Sequence, residues 1–277
     1  MTPTPTPHRF GELAGDFNAG CGDSRAPIVF LPGLTFDRTV WTPALRELDR
    51  IDPGRRTLTL DLPGEGESEG TFRGFSLVFE QVHAAISAAG IERPILVAHS
   101  GAAIGATLYA TRYPVVGIIN VDAPLENEDL AATLRALEPQ LRNGGIYAFW
   151  EQLFAGLHPE RSGPNGEALL RAASRPRPEV MLGYWAPLLA PPLTANNVVN
   201  DAVAHLRVHH VPYTIVLGEA PDETLNAWFS NHFPEATVTT LPGSGHFPHV
   251  AHPEAFALTV ANQAAAWDRR PEQRPDR

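Results

Sequence analysis

The chain contains no lysine. All 21 of its basic residues are arginine, which excludes a Schiff-base amine and a catalytic serine–lysine pair. Cysteine occurs once, at Cys21, so neither an intrachain disulfide nor a cysteine-based zinc site can form. No apolar run approaches the ~20 residues that a membrane-crossing helix requires. The first residues, Met1-Thr2-Pro3-Thr4-Pro5-Thr6-Pro7, have neither a basic start nor an apolar stretch. They do not resemble a secretion signal, and residues 1–8 read as a disordered lead-in. Positive charge is also in the minority. A net charge of −10 argues against nucleic acid and anionic membranes as partners. The expected location is the cytoplasm.

What is present suits a large globular domain. The chain has 277 residues, 43% of them apolar, with 13 Phe, 5 Trp and 5 Tyr to fill a core. Short apolar runs recur at 28–31, 56–60, 94–98, 115–121, 213–217 and 236–241, with helical patterns at 75–89, 102–113 and 253–267. Near-continuous apolar strands alternating with helices predict an α/β fold, a parallel sheet covered on both faces. Between Pro124 and His210 that alternation breaks into short helices at 129–141, 146–157 and 165–173. We read residues 125–210 as a helical cap inserted into a core formed by 9–124 and 211–268, with a loose tail at 269–277. The cap holds Phe149, Trp150, Phe154, Tyr184 and Trp185. These aromatics either wall a pocket or fasten the cap to the core.

The segment Ile95-Leu96-Val97-Ala98-His99-Ser100-Gly101-Ala102-Ala103 carries the strongest chemical signal. An apolar strand stops at a serine, small residues flank it, and a helical pattern follows at once. A strand–turn–helix elbow that lifts a nucleophile into a site is written this way, because the residues two before and two after must pass closely. A serine between strand and helix also serves as an ordinary helix N-cap. Carboxyl ends of parallel strands are where functional residues gather. The residues following each strand here include Pro32-Gly33-Leu34, Asp61, Ser100, Asp122, Glu219 with Asp222, and Gly243-Ser244-Gly245-His246. A serine, several acids and a late histidine converge, in the order expected for such an elbow.

Four segments in order and spacing give the chain its resemblance to the α/β-hydrolase superfamily. They are Phe30-Leu31-Pro32-Gly33-Leu34, Asp61-Leu62-Pro63-Gly64-Glu65-Gly66-Glu67-Ser68, Ala98-His99-Ser100-Gly101-Ala102, and Pro242-Gly243-Ser244-Gly245-His246-Phe247-Pro248. The resemblance covers Pro27 to Trp267 apart from the cap. It implies an α/β-hydrolase fold, a mostly parallel central sheet with helices on both faces and a helical cap insertion. It also implies roles: Ser100 as nucleophile, His246 as general base and acid, and the N–H groups of Leu34 and Gly101 as oxyanion hole. Trp150 and Trp185 would line the substrate pocket. The acid stays open between Asp122 and Asp222, with Glu219 a weaker choice. Asp222 equally fits a helix N-cap before Glu223.

Other features call for no ligand. His246, His249 and His252 recur every three residues, but Pro248 and Pro253 interrupt them, so no metal site is expected. The glycines around Glu65 lack the lysine of a phosphate loop and read as a structural turn. The resemblance implies no cofactor and a small-molecule apolar ester, thioester or lactone as substrate. A serine at position 100, where an aspartate would be required, argues against the haloalkane and epoxide branches. Cofactor-free haloperoxidase, oxygenase or lyase chemistry, or a low-turnover receptor, are the alternatives on the same fold. The number of subunits is not legible.

Overall fold

The apolar runs build one sheet because their two sets of side chains are buried by two separate helix layers. The structure, a computed structural model, describes residues 7–70, 74–125, 128–190 and 195–270. Residues 1–6 of the expected lead-in and 271–277 of the expected tail lie outside these. The elements run β1 (Pro7–Phe10), β2 (Leu13–Asn18), β3 (Ile28–Leu31), α1 (Thr42–Ile51), β4 (Thr57–Leu60), α2 (Phe75–Ala88), β5 (Ile95–His99), α3 (Gly101–Tyr109) and β6 (Gly117–Val121). There follow α4 (Glu128–Gln140), α5 (Ile146–Gly156), α6 (Gly163–Ala173), α7 (Pro178–Leu189) and α8 (Ala195–Val208). The chain ends with β7 (Tyr213–Leu217), α9 (Glu223–His232), β8 (Thr237–Thr240), the single turn α10 (Pro248–Ala251) and α11 (Pro253–Asp268).

The sheet order is β1-β2-β4-β3-β5-β6-β7-β8. The two N-terminal strands are antiparallel to their neighbours, and every other pairing is parallel. β1 and β2 were not expected. Their sequence, Pro7 to Asn18, has no apolar run, and Pro7 and His8 fall within the expected lead-in. The hairpin forms because Gly11 takes φ 64° at its turn and β2 finds an edge partner in β4.

Alternation sorts the core. Ile28 and Phe30 of β3 face a layer that includes Trp41, Leu48, Phe256 and Val260, while Val29 and Leu31 face Val82, Ile86 and Ala106. Full burial on both faces explains why these strands read as unbroken apolar runs. Gly117 opens β6 because a Cβ there would stand 2.6 Å from the Trp267 ring of α11.

Helices α4 to α7 leave the sheet after β6, where the sequence predicts an insertion. The fifth helix of the 125–210 segment, α8, packs instead against α3, with Val199, Val203 and Leu206 buried in the same cluster as Ala103 and Ala106. The α4–α7 group is tied back to the loop after β3. Asp37 N–H donates to Ala173 O at 3.1 Å, Arg175 N–H donates to Thr35 O at 2.8 Å, and Phe36 bridges Ser174.

Candidate active site

Ser100 follows β5 and immediately precedes α3, at φ 53° and ψ −135°. A residue with a Cβ enters this region only when its surroundings impose it. They do: Ser100 N–H donates to Val121 O at 2.9 Å and Ser100 O accepts from Ala103 N–H at 2.8 Å. A serine acting as an ordinary helix cap would accept a first-turn N–H through its hydroxyl. Ser100 occupies the cap position without making that bond.

Asp122 follows β6, the strand beside β5, and also has a positive φ, 54°. That turn aims its carboxylate at the loop after β8. His246 Nδ1 lies 2.7 Å from Asp122 Oδ2, and Gly218 N–H donates to Asp122 Oδ1 at 2.7 Å. Burial pushes this carboxyl up, but the hydrogen bonds from His246 and Gly218 outweigh it and hold it below the usual range. An ionised carboxylate only accepts, so Nδ1 carries the proton. In the neutral ring Nε2 is then the basic nitrogen.

His99, one residue before the serine, holds the histidine loop. Its Nε2 lies 2.8 Å from His246 O. Burial lowers the His99 pKa to about 3, so the ring is neutral and Nε2–H is the donor to that carbonyl. The other side of the loop meets the cap, where His246 N–H donates to Leu157 O at 3.1 Å.

The loop after β3 comes up against the serine because residue 33 has no side chain. A Cβ on Gly33 would stand 2.8 Å from His99 Nδ1 and 3.3 Å from Ser100 Cβ. Leu34 follows, and then Thr35, a β-branched residue at φ 74°. Three contacts restrain Thr35: its N–H donates to Glu65 Oε1 at 3.0 Å, its hydroxyl lies 3.2 Å from Ser174 Oγ, and its carbonyl accepts from Arg175 N–H. Among the described residues five non-glycine residues have positive φ, and Thr35, Ser100 and Asp122 are three of them. A fourth, His158, abuts Gly245, the residue before His246. Strain of this kind concentrates where side chains must be held in one geometry.

Of the acids left open by sequence, Asp122 meets His246 and the others do not. Asp222 caps α9, its Oδ1 accepting Leu225 N–H at 2.8 Å. Glu219 pairs with Arg161 at the surface. Trp150 and Trp185 are buried. The Trp150 indole donates to Ser174 Oγ at 3.1 Å and packs on Phe36 and Phe154, and Trp185 packs edge-on to Phe149. His249 lies buried against Trp41, and His252 faces Pro242 O.

A narrow apolar cavity of about 20 Å³ reaches the serine turn, lined by Leu31, Leu62, Phe79, Gly101, Ala102 and Tyr184. A far larger cleft, about 700 Å³, opens at the other end of the sheet beside Pro27, Pro212 and Arg270. It adjoins the amino ends of the strands, away from the serine and histidine. Sequence reasoning did not single out His99, Gly218 or Glu65. The histidine adjoining the elbow was the one signal that could have been read; the other two act through space.

A model of the alpha/beta hydrolase family matches residues 28–259. No curated protein sequence matches the chain. Among solved structures, it is similar to the haloalkane dehalogenase DbeA from Bradyrhizobium elkani, with 21% identity, TM-score 0.71, and 96% and 98% of the two chains covered. It is also similar to a thermophilic esterase from Thermogutta terrifontis, with 20% identity, TM-score 0.72, and 97% and 96% covered. E-2-(acetamidomethylene)succinate hydrolase gives 20% identity, TM-score 0.66, and 94% and 98% covered. At these identities the likeness carries the fold alone.

Proposed function

Since the chain belongs to the alpha/beta hydrolase family, we propose that it hydrolyses a small, mostly apolar carboxylic ester, thioester or lactone through an acyl-enzyme on Ser100. The observation that carries this reading is the strained serine elbow at φ 53°, whose neighbour His99 holds the His246 carbonyl, together with a His246 Nδ1 held 2.7 Å from the partly buried Asp122 carboxylate.

In this reading His246 Nε2 takes the Ser100 hydroxyl proton as Oγ attacks the substrate carbonyl carbon. Asp122 stabilises the imidazolium that forms and keeps its proton on Nδ1. The N–H groups of Leu34 and Gly101 receive the oxyanion, and each such donor is worth roughly 3 kcal/mol in the transition state. The tetrahedral intermediate collapses, the alcohol or thiol leaves with the proton from His246, and the acyl group stays on Oγ. Water, deprotonated by His246, then releases the acid and restores the serine. In a lactone the leaving hydroxyl stays tethered to the released acid.

A hydroxyl nucleophile also separates this chain from halide displacement. Displacing a halide with serine would leave an alkyl ether, which has no carbonyl for water to attack. The likeness to DbeA is therefore one of fold and does not extend to its reaction.

The test is hydrolysis of short and medium-chain p-nitrophenyl esters by the wild type and by Ser100→Ala. We expect turnover in the wild type, residual activity lower by about 10³-fold or more in the variant, and an acyl adduct on Ser100 by intact mass. Equal rates in the two proteins, or wild-type inactivity across the series with no adduct, would overturn the esterase reading.

A further inference from the structure

The proposed chemistry leaves the buried acids Asp61 and Glu65 unused, and Asp61 is engaged by Arg38. Glu65 lies in the turn after β4, beneath the cap, with its carboxyl group enclosed. Oε1 accepts the Thr35 N–H at 3.0 Å, while Oε2 is buried with no hydrogen-bond partner among the described residues. A carboxylate would not be left half-satisfied at such a place without penalty, whereas a carboxylic acid carries no charge to solvate.

The residue it holds matters more than the bond itself. Thr35 is a β-branched residue at φ 74°, a conformation that costs on the order of 1–3 kcal/mol unless its surroundings impose it. The preceding residue is Leu34, whose N–H the proposed function places in the oxyanion hole. The direction of that N–H is set by the peptide plane joining Gly33 to Leu34, and the plane is fixed only if Thr35 stays where it is. From the cap side Ser174 and Arg175 restrain the Thr35 hydroxyl and carbonyl. Glu65 restrains the remaining backbone group, the N–H.

We propose that Glu65 is a positioning residue for the oxyanion loop, acting as a neutral carboxylic acid that anchors the Thr35 amide and so aims the Leu34 N–H at the reacting carbonyl. The inference rests on the hydrolase reading given above. Burial agrees with the neutral form, raising the Glu65 pKa to about 8. The groups that face it are Arg177 and Glu179 at the start of α7, Tyr184 further along that helix, and Asp61 at the end of β4. Arg177 favours the ionised form but is turned to Gly64 O at 2.7 Å. Asp61 and Glu179 oppose it. Above its pKa Glu65 would place a negative charge beside the loop that must receive a developing oxyanion, and the two charges repel.

Two variants separate positioning from plain structural support. Glu65→Gln keeps an acceptor for Thr35 and cannot ionise; Glu65→Ala removes the acceptor. For ester hydrolysis we expect wild-type kcat to fall as pH rises through about 8. In Glu65→Gln, kcat should stay near the neutral-pH wild-type value and lose that alkaline fall. In Glu65→Ala, kcat should drop roughly tenfold or more with KM little changed, as for a weakened oxyanion donor. An alkaline fall that persists in Glu65→Gln, or wild-type kcat in Glu65→Ala, overturns the proposal.

Amide hydrogen exchange of the 33–36 loop gives a readout that needs no turnover, made in the Ser100→Ala background. At neutral pH the protection of Thr35 seen with Glu65 intact should be retained in Glu65→Gln, whose side chain still accepts, and lost in Glu65→Ala. Unchanged protection in Glu65→Ala overturns the anchoring role whatever the substrate. Inactivity toward esters with the expected exchange pattern counts against the hydrolase reading and leaves the anchor standing.

Discussion

Asp122 and Asp222 follow adjacent parallel strands and differ in what their carboxylates meet. Asp122 is shared between the His246 ring and the Gly218 amide, whereas Asp222 is spent on the first turn of α9. Asp122→Asn should therefore lower kcat by about 10³- to 10⁴-fold, because an amide opposite Nδ1 favours the wrong tautomer. Asp222→Asn should leave kcat within about twofold, since asparagine caps a helix as well as aspartate does. Steady-state kinetics on one ester decides both. The depressed Asp122 pKa has a stability consequence. Its contribution is complete above the ordinary carboxyl value of 3.8 and is lost as pH falls through the lower folded value. The melting temperature of the wild type should thus converge on that of Asp122→Asn in strong acid.

At the scale of elements, the site depends on how closely loops from different strands approach. β7 is followed by Gly218, where a Cβ would collide with the carbonyl oxygen of Gly245. No rotamer relieves such a clash, because the side chain begins where another backbone already stands. Gly218→Ala should push the loop carrying His246 outward by roughly an ångström, and misplacement on that scale costs a catalytic group about 10²-fold in rate. We expect a folded protein with kcat reduced by that factor. Circular dichroism and kinetics on the same sample distinguish this from unfolding. The serine turn shows the same economy of space: Gly33 lets its loop lie against His99 and Ser100. The glycines are thus placed where the loops carrying Ser100 and His246 are approached, and a longer side chain at either point would separate groups that the proposed chemistry needs together.

Across the whole molecule, cap and core meet at a small side chain. Ser174 Oγ lies 3.2 Å from the Thr35 hydroxyl and accepts the Trp150 indole N–H at 3.1 Å. It follows α6, next to the backbone bonds that join Ala173 and Arg175 to the loop after β3. The cap is therefore fastened to the loop that carries Leu34, and its packing bears directly on that loop. Ser174→Ala leaves the buried Trp150 N–H without an acceptor, which costs about 1–3 kcal/mol. It also frees the Thr35 hydroxyl. We expect a lower melting temperature together with a lower kcat; a fall in stability with kcat unchanged would show that the cap holds the fold and not the site.

The alternating α/β architecture, the break in that alternation after β6, the serine turn and the order of serine, acid and histidine are all legible in the chain alone. Each is a short-range pattern: an apolar run of strand length, a turn that admits only small neighbours, a proline or glycine at a helix end. The resemblance to α/β-hydrolases rests on the same local segments, and the family match agrees with it. Whatever depends on distance through space came from the packed molecule. Packing brought Asp122 to a histidine 124 positions away and gave Asp222 to a helix end. It turned Trp150 and Trp185 inward, and paired the unannounced β1–β2 hairpin with β4. It also set Glu65 under the strained Thr35. An aspartate after a strand looks the same in sequence whether it faces a histidine or its own helix, because the loop closure that selects its partner is a property of the whole packed chain.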